Sequence, residues 1–236
     1  MIKIALLGYG KMGQMIERLA TEQGDQILLK LDEDSNRNFK GINAENFNDI
    51  DVAIDFSAPQ AVVENTKRIA ALGRNVVIGT TGWLSELPTV RQLAETEDVG
   101  ILWSPNFSIG VNVFFRLVNE AARLLRNQPG YEAWGYEIHH SAKLDAPSGT
   151  LIKLVEEMQH AGFSGKIDVS SNRAGSHPGT HEIGFDSAAD TITLKHVARS
   201  REGFAQGALV AARWLAGKKG FFEFGDVLFA EDTNGA

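Results

Sequence analysis

The chain has 236 residues, enough for one large domain or two small ones, and its 43% hydrophobic and 22% charged residues supply a core and exclude a disordered chain. Acidic residues outnumber basic ones by 30 to 23, which argues against a nucleic-acid binder, and no basic amphipathic stretch points to a membrane surface. With no cysteine, disulfides, thiolate metal sites and a cysteine nucleophile are excluded. The first apolar run begins at Ile2, and none approaches the ~20 residues of a membrane span, so a soluble cytoplasmic protein is the expectation.

Residues 2–7 read as a buried strand, followed at once by Gly8-Tyr9-Gly10-Lys11-Met12-Gly13. Met12, Ile16, Leu19 and Ala20 then mark a helix face ended by Gly24, and residues 26–31 form a second strand closed by Asp32. Strand, Gly-x-Gly-x-x-Gly, helix, strand and acid make the dinucleotide-binding fingerprint in its required context. The first glycine makes the turn, the second admits the pyrophosphate, the third lets helix and strand pack, and the acid binds a ribose. The alternation continues with strands over residues 51–56, 75–78 and 100–104 and helices over 59–72 and 86–96, which predicts a doubly wound parallel sheet. Ligands bind such sheets beyond the carboxyl ends of the strands. There lie Phe56-Ser57-Ala58-Pro59, Gly79-Thr80-Thr81-Gly82 and Ser104-Pro105-Asn106-Phe107.

The rhythm changes after Phe107. A long helix is expected over residues 111–125, with Phe114, Leu117, Val118, Ala121 and Leu125 on one face, broken by Asn127-Gln128-Pro129-Gly130. Residues 136–138 read as a strand and 167–171 as another, and 173–181 are loop-like. Residues 182–186 and 191–197 alternate around a short turn as a hairpin, and 204–216 form a last helix. The tail, with Phe221, Phe222, Phe224, Val227, Leu228 and Phe229, is apolar enough to pack back on the first domain. The expected fold is therefore α/β: a doubly wound, Rossmann-like dinucleotide domain over residues 1–106 and 213–236, and an α+β substrate and oligomerisation domain with a mixed sheet over 107–212.

Chemistry concentrates in Glu137-Ile138-His139-His140-Ser141-Ala142-Lys143-Leu144-Asp145-Ala146-Pro147-Ser148-Gly149-Thr150. Two imidazoles, an ammonium and a carboxylate precede a turn, and Leu151, Leu154, Val155 and Met158 follow at helical spacing. Ser148 reads as an N-cap, with Gly149 and Thr150 opening a helix whose first amides can receive an anion such as a substrate carboxylate. A polar loop before an ordinary capped helix is the plainer alternative. His139 and His140, adjacent on a strand, would face opposite ways unless the strand ends there. One of them then does chemistry and the other binds or positions substrate. Lys143 is a charge clamp or proton donor, held by Asp145 or beside an Asp145 that only caps the turn. Arg173 and Arg199 hold a carboxylate or form ion pairs at a surface or subunit interface, the second being the favoured reading. His177 and His181 are separated by Pro178-Gly179, which breaks the helix a two-histidine metal motif needs, so no metal site is expected.

The pattern Glu-x-His-His-x-x-Lys-x-Asp-x-Pro-Ser-Gly-Thr resembles the signature of the 4-hydroxy-tetrahydrodipicolinate (dihydrodipicolinate) reductase family at every fixed position. The similarity extends over nearly the whole chain: Gly8 to Gly13, Ile54-Asp55-Phe56-Ser57, Gly79 to Gly82, Asn106-Phe107-Ser108-x-Gly110-Val111-Asn112, Arg173 to His181 and Ser200 to Ala208 occur in family order. The resemblance implies an enzyme of the diaminopimelate route to lysine. A nicotinamide hydride passes to the ring of a cyclic imine dicarboxylate, water is lost, and tetrahydrodipicolinate forms. It implies His139 as proton donor or acceptor and Lys143 as proton donor, with His140, Gly149 and Thr150 binding substrate carboxylates. Gly8, Tyr9, Gly10, Lys11, Met12, Gly13, Asp32, Gly79, Thr80, Thr81, Ser104, Pro105, Asn106 and Phe107 would hold NADH or NADPH, Thr81 between nicotinamide and substrate. A homotetramer through the central domain's sheet is also implied. Glu33 stands where some relatives carry arginine. Its carboxylate repels a 2′-phosphate, so NADH should serve at least as well as NADPH, although Lys11 offsets part of the repulsion. A related two-domain dehydrogenase and a non-catalytic nicotinamide sensor are the rival readings. The signature argues against the first, and the acid/base cluster, which a sensor does not need, against the second.

Overall fold

The computed structural model describes residues 1–230, which divide into two units: Met1–Ser108 with the stretch from Phe204 onward, and Ile109–Gly203.

The apolar runs of the amino-terminal half become strands β1 (Lys3–Leu7), β2 (Gln26–Leu31), β3 (Val52–Asp55), β4 (Asn75–Ile78) and β5 (Gly100–Trp103), joined through helices α1 (Lys11–Glu22), α2 (Ala44–Phe47), α3 (Val62–Ala71) and α4 (Leu87–Thr96). Both β3 and β4 are buried along their whole length, the mark of strands covered on two faces by crossover helices. The helices supply the cover: α1 turns Gly13, Ile16, Leu19 and Ala20 inward, and α3 turns Val62, Ile69 and Ala70 inward.

In the second unit, α5 (Ile109–Leu125) and α6 (Gly149–His160) lie against strands β6 (Glu132–His139), β7 (Ile167–Arg173), β8 (Thr180–Asp186) and β9 (Thr191–Val197). The sheet order is β7-β6-β8-β9, with β6 and β7 parallel and the other pairs antiparallel. Strand β8 begins at Thr180 and so takes in His181, and β7 runs on to Arg173, where the sequence pattern predicts a loop over 173–181. The apolar stripe of α5 is Val111, Phe114, Phe115, Val118 and Ala122. Leu117, expected inside, is 52% exposed, because the stripe centres on the line through Phe114, Val118 and Ala122 and leaves it to one side.

The chain then returns to the first unit through α7 (Glu202–Leu215), β10 (Gly220–Glu223) and α8 (Phe224–Leu228). β10 pairs with β5, giving an all-parallel sheet of order β10-β5-β4-β3-β1-β2. The second boundary between units therefore falls at Gly203/Phe204, ahead of the expected 212/213, because α7 is one unbroken helix tied to the first unit. Asn75 donates to the carbonyl of Leu215 at 2.7 Å, and Gly207 presses on the backbone of Phe107. Positions 231–236 of the expected carboxyl-terminal segment lie outside the described residues. Among the described residues no helix is long and apolar enough to cross a membrane.

Candidate active site

In the first unit the chain runs from β1 to β2 on one side and crosses back to β3 on the other, so the sheet's switch point lies between β1 and β3. A ligand crevice belongs beyond the carboxyl ends of these strands, and it is there. One cavity of about 790 Å³ is lined by Gly8, Tyr9, Gly10, Asp32, Glu33 and Ser57 among others. A second, of about 450 Å³, shares Gly8, Gly10, Phe56 and Ser57 with it and adds Lys11, Met12, Gly79, Thr80 and Thr81.

The three glycines divide the work as the spacing requires. Gly8 has φ of +88°, and a Cβ there would stand 2.1 Å from the Phe56 carbonyl oxygen. Gly13 is buried where a Cβ would stand 2.4 Å from the Gly8 carbonyl oxygen. Gly10, the N-cap of α1, has nothing within 4 Å of the place a Cβ would take, and no side chain caps the helix start. An open, uncapped helix N-terminus beside two confluent cavities fits the pyrophosphate of a dinucleotide. Asp32 projects into solvent at the far end, where its Oδ1 accepts from the amide and hydroxyl of Ser35 at 2.8 and 2.7 Å; these bonds hold its pKa below the usual carboxylate value.

A buried carboxylate knits the rim together. Asp55 accepts from the Ser57 amide and hydroxyl, from Asn65 Nδ2 at 3.0 Å and from Thr80 Oγ1 at 3.0 Å. Asn65 in turn accepts from Asn36 Nδ2 at 3.3 Å. Burial pushes the Asp55 pKa up, against the hydrogen bonds. Of the expected cofactor residues, Ser104, Pro105, Asn106 and Phe107 line neither of these cavities. Ser104 is buried and donates to the Asn106 carbonyl at 2.8 Å, and Phe107 packs between Phe56 and Phe224. The loop carrying Asn36, Arg37, Asn38 and Phe39 lines the larger cavity without having been signalled by any motif; Asn38 and Phe39 both have positive φ.

In the second unit β6 ends at His139, so His139 faces inward, 8% exposed, while His140 already belongs to the loop and is half-buried. Lys143 pairs with Asp145 at 2.8 Å, and this bond lowers the Asp145 pKa. Ser148 caps α6, its Oγ accepting from the Leu151 amide at 3.2 Å. Gly149 follows, exposed and with open space where a side chain would be. His139, His140, Lys143, Gly149 and Thr150 thus occupy one continuous turn of chain from the end of β6 to the start of α6.

Beneath them lies a polar cluster that the sequence did not announce. The Glu137 side chain is fully buried. Its Oε1 accepts from the Ser148 amide at 2.9 Å, Ser171 Oγ at 2.8 Å and Arg173 Nη2 at 2.8 Å. Its Oε2 accepts from Ser148 Oγ and lies 3.3 Å from His181 Nε2 and 3.6 Å from His139 Nδ1. Arg173 also donates to the carbonyl of Asp145, anchoring the Lys143 loop. Burial alone would raise the Glu137 pKa, but the hydrogen bonds from Ser148, Arg173 and Ser171 outweigh it and hold the group down at about 2. Burial, then the charge on His139, pushes His181 down to about 4. Burial is also the first cause lowering His139, reinforced by Lys143 and Arg173 and opposed by Glu137. Glu137, His139 and His181 each offer a ligand atom within 4.8 Å of the others. The donor set is nonetheless a poor cation site, because the carboxylate already accepts from four protein donors, one of them the cationic Arg173.

Residues 2–107 match the family model for the dihydrodipicolinate reductase N-terminus, and residues 110–228 match the model for its C-terminus. The chain belongs to the dihydrodipicolinate reductase family. It is 40% identical to the 4-hydroxy-tetrahydrodipicolinate reductase of Christiangramia forsetii, over 96% of this chain and 98% of the relative. It is 36% identical to the reductase of that name from Methanoregula boonei, over 99% and 100%. Among solved structures, the dipicolinate-bound dihydrodipicolinate reductase of Paenisporosarcina sp. TG-14 superposes with a TM-score of 0.79 at 25% identity, covering 96% of this chain and 99% of that one. An amine dehydrogenase of Mycobacterium smegmatis, 11% identical with a TM-score of 0.62 over 95% of each chain, shares the fold. This member of the reductase family is an oxidoreductase built on a nicotinamide-dinucleotide-binding fold.

Proposed function

We propose that the chain reduces 4-hydroxy-tetrahydrodipicolinate to tetrahydrodipicolinate in the diaminopimelate route to lysine, the first unit holding the dinucleotide and the second the dicarboxylate. The observation that carries the reading is the turn from His139 to Thr150, where an imidazole, an ammonium and an open helix start meet within one stretch of chain. The bound nicotinamide supplies a hydride to the substrate ring. Gly8, Gly10, Lys11, Met12, Thr80 and Thr81 cradle the dinucleotide, Gly13 supports the turn, and Asp32 takes the ribose. The amides of Gly149 and Thr150, with His140, hold a substrate carboxylate at the positive end of the α6 dipole. His139 and Lys143 move the proton that accompanies the departing water. A dianionic ring beside His139 favours its charged form and brings its pKa back toward neutrality from the lowered value of the free protein.

NADH serves at least as well as NADPH in this reading. Asp32, Glu33 and Asp34 all line the larger cavity, and Arg37, which lines it too, is paired with Asp34 at 2.9 Å. A 2′-phosphate entering there meets three carboxylates. The protein assembles as a tetramer through the outer face of the second sheet. The large apolar side chains of β6, Trp134, Tyr136 and Ile138, lie only half-buried on the face opposite Ala133, Gly135, Glu137 and His139, and Val197 beside them is 52% exposed.

Coenzyme oxidation with freshly generated 4-hydroxy-tetrahydrodipicolinate tests the assignment. Turnover by the wild type, with kcat lowered by about 10² or more in His139→Gln and in Lys143→Ala while both stay folded, is expected. Coenzyme binding without turnover would overturn the reaction. A kcat/KM clearly higher with NADPH would overturn the coenzyme assignment, and a monomer in light scattering the assembly.

A further inference from the structure

Four strands and a helix start contribute to two adjoining polar rows at one end of the inner face. In register across the inner face of the second sheet stand Ser171 of β7, Glu137 of β6, His181 of β8 and His196 of β9, with Arg173 opposite His139 in the next row. Burying such a row costs stability that apolar residues of the same shape would not. Capping α6 needs only the Ser148 hydroxyl, which already accepts from the Leu151 amide. The carboxylate behind it therefore has another use.

That use is visible at His139. Its Nδ1 is buried and has no hydrogen-bond partner among the described residues, yet Glu137 Oε2 is 3.6 Å away. Catalytic hydrogen bonds are often long in a ligand-free protein and tighten when substrate binds. On the other side of the ring, Gly179 lies against its Nε2 edge, where a Cβ would stand 3.1 Å from the nitrogen and crowd it. We propose that Glu137 is a positioning residue for the reduction, its carboxylate orienting the His139 ring through Nδ1 and, through Ser148, fixing the start of α6, so that one group holds the proton-transfer residue and the substrate-carboxylate receptor in register. The proposal rests on the roles given above to His139 and to the α6 start. With Glu137 accepting the Nδ1 proton, Nε2 is left to exchange protons with the substrate. The charge formed on the ring then sits beside a carboxylate, as in the acid–imidazole pairs of hydrolases. The other charged and titratable groups around the ring are Lys143 and Asp145 on the loop, Arg173 on β7 and His181 on β8, with His196 of β9 behind His181. Lys143 and Arg173 oppose a charge on His139; Glu137 and Asp145 favour it.

The test compares wild type, Glu137→Gln and His139→Gln as full chains. The glutamine keeps the length and one acceptor but removes the charge. Its kcat is expected to fall about a hundredfold, the lower end of what general acid–base catalysis contributes. The KM for coenzyme should stay unchanged. The limb of the pH profile on which activity is lost with rising pH should move down by about one pH unit, because the imidazolium has lost its counter-charge. A merely structural glutamate would not move that limb. Wild-type kcat and an unmoved limb in Glu137→Gln, with His139→Gln inactive, overturn this proposal alone; full activity in His139→Gln overturns the underlying assignment as well. Nitrogen NMR of the wild-type His139 ring gives a check that needs no folded variant. A neutral ring protonated on Nδ1 supports the proposal, and one protonated on Nε2 overturns it.

Discussion

Acid should weaken the second unit chiefly through His181. The ring is 5% exposed on the inner face of β8, and its pKa is lowered from 6.5 to about 4. Between those two values the unfolded chain takes up a proton that the folded chain refuses, so stability present at neutral pH is lost as the pH falls from 6.5 towards 4. A displacement of that size amounts to about 3 kcal/mol by pH 4. The lowered values of His139 and His196 act in the same direction. Glu137, held at about 2 against an ordinary 4.5, adds its own loss only below 4.5. The perturbation is His181→Gln, which keeps a donor and an acceptor beside Glu137 Oε2 and Ser148 Oγ but cannot titrate. Urea unfolding followed by circular dichroism at several pH values from 7 to 4 measures the difference. Between the ends of that range the wild type should lose about 3 kcal/mol more than the variant. Parallel losses in the two proteins would refute the reasoning, because they would show that the buried imidazole is not the group taking up the proton.

The other predictions concern the first unit. A Cβ on Gly207 would stand 1.7 Å from the Phe107 carbonyl oxygen, so Gly207→Ala should cost about 3 kcal/mol or more, read as a lower urea midpoint. Gly10→Ala is the contrasting case: with φ of −83° and nothing within 4 Å, it should leave stability within about 0.5 kcal/mol. It should nonetheless weaken NADH binding about tenfold or more, a loss of about 1.4 kcal/mol measurable by coenzyme fluorescence. Asp55→Asn turns an amide donor towards groups that are themselves donors, Ser57, Asn65 and Thr80. It should cost about 2 kcal/mol and raise the KM for coenzyme, since the rim of both cavities hangs from this carboxylate.

Local rules made most of the first unit legible. The apolar run predicts β4 at its observed bounds, and the fingerprint from Gly8 to Asp32 is legible because its spacing alone places a turn, an open helix start and a close helix–strand contact. Ser148 was recognisable as an N-cap because capping is a matter of three consecutive amides. Glu137 was present in the signature but its role was not readable. In β6 the alternation of Ala133, Gly135, Glu137 and His139 with Trp134, Tyr136 and Ile138 suggests by hydrophobicity that the larger side chains face the core, and the structure does the reverse. For Arg173 the sequence favours an ion pair at a surface or subunit interface; the structure pairs it instead with the buried Glu137, reachable only through the parallel pairing of β6 with β7. Nothing local reports such a pairing. The loop of Asn38 and Phe39 is a locally bonded turn, and nothing in its residues says that the turn lies on a cavity wall.

The pairing of β10 with β5 also sets an order of events during synthesis. Strands β1 to β5 leave the ribosome early, but their sheet ends on the bare edge of β5 until the whole of Ile109–Gly203 and then α7 have been made. The second unit, contiguous in sequence, is free to fold first. For that interval a strand of the apolar sequence Gly100-Ile101-Leu102-Trp103 has an unpaired row of amides and carbonyls, the kind of edge that recruits neighbouring chains. Pairing with β10 covers that edge once the later strand has been made. Loss of the stretch from Gly220 onward, by a premature stop, would bare that edge and also take Phe224 away from Phe107, which packs on the cavity residue Phe56.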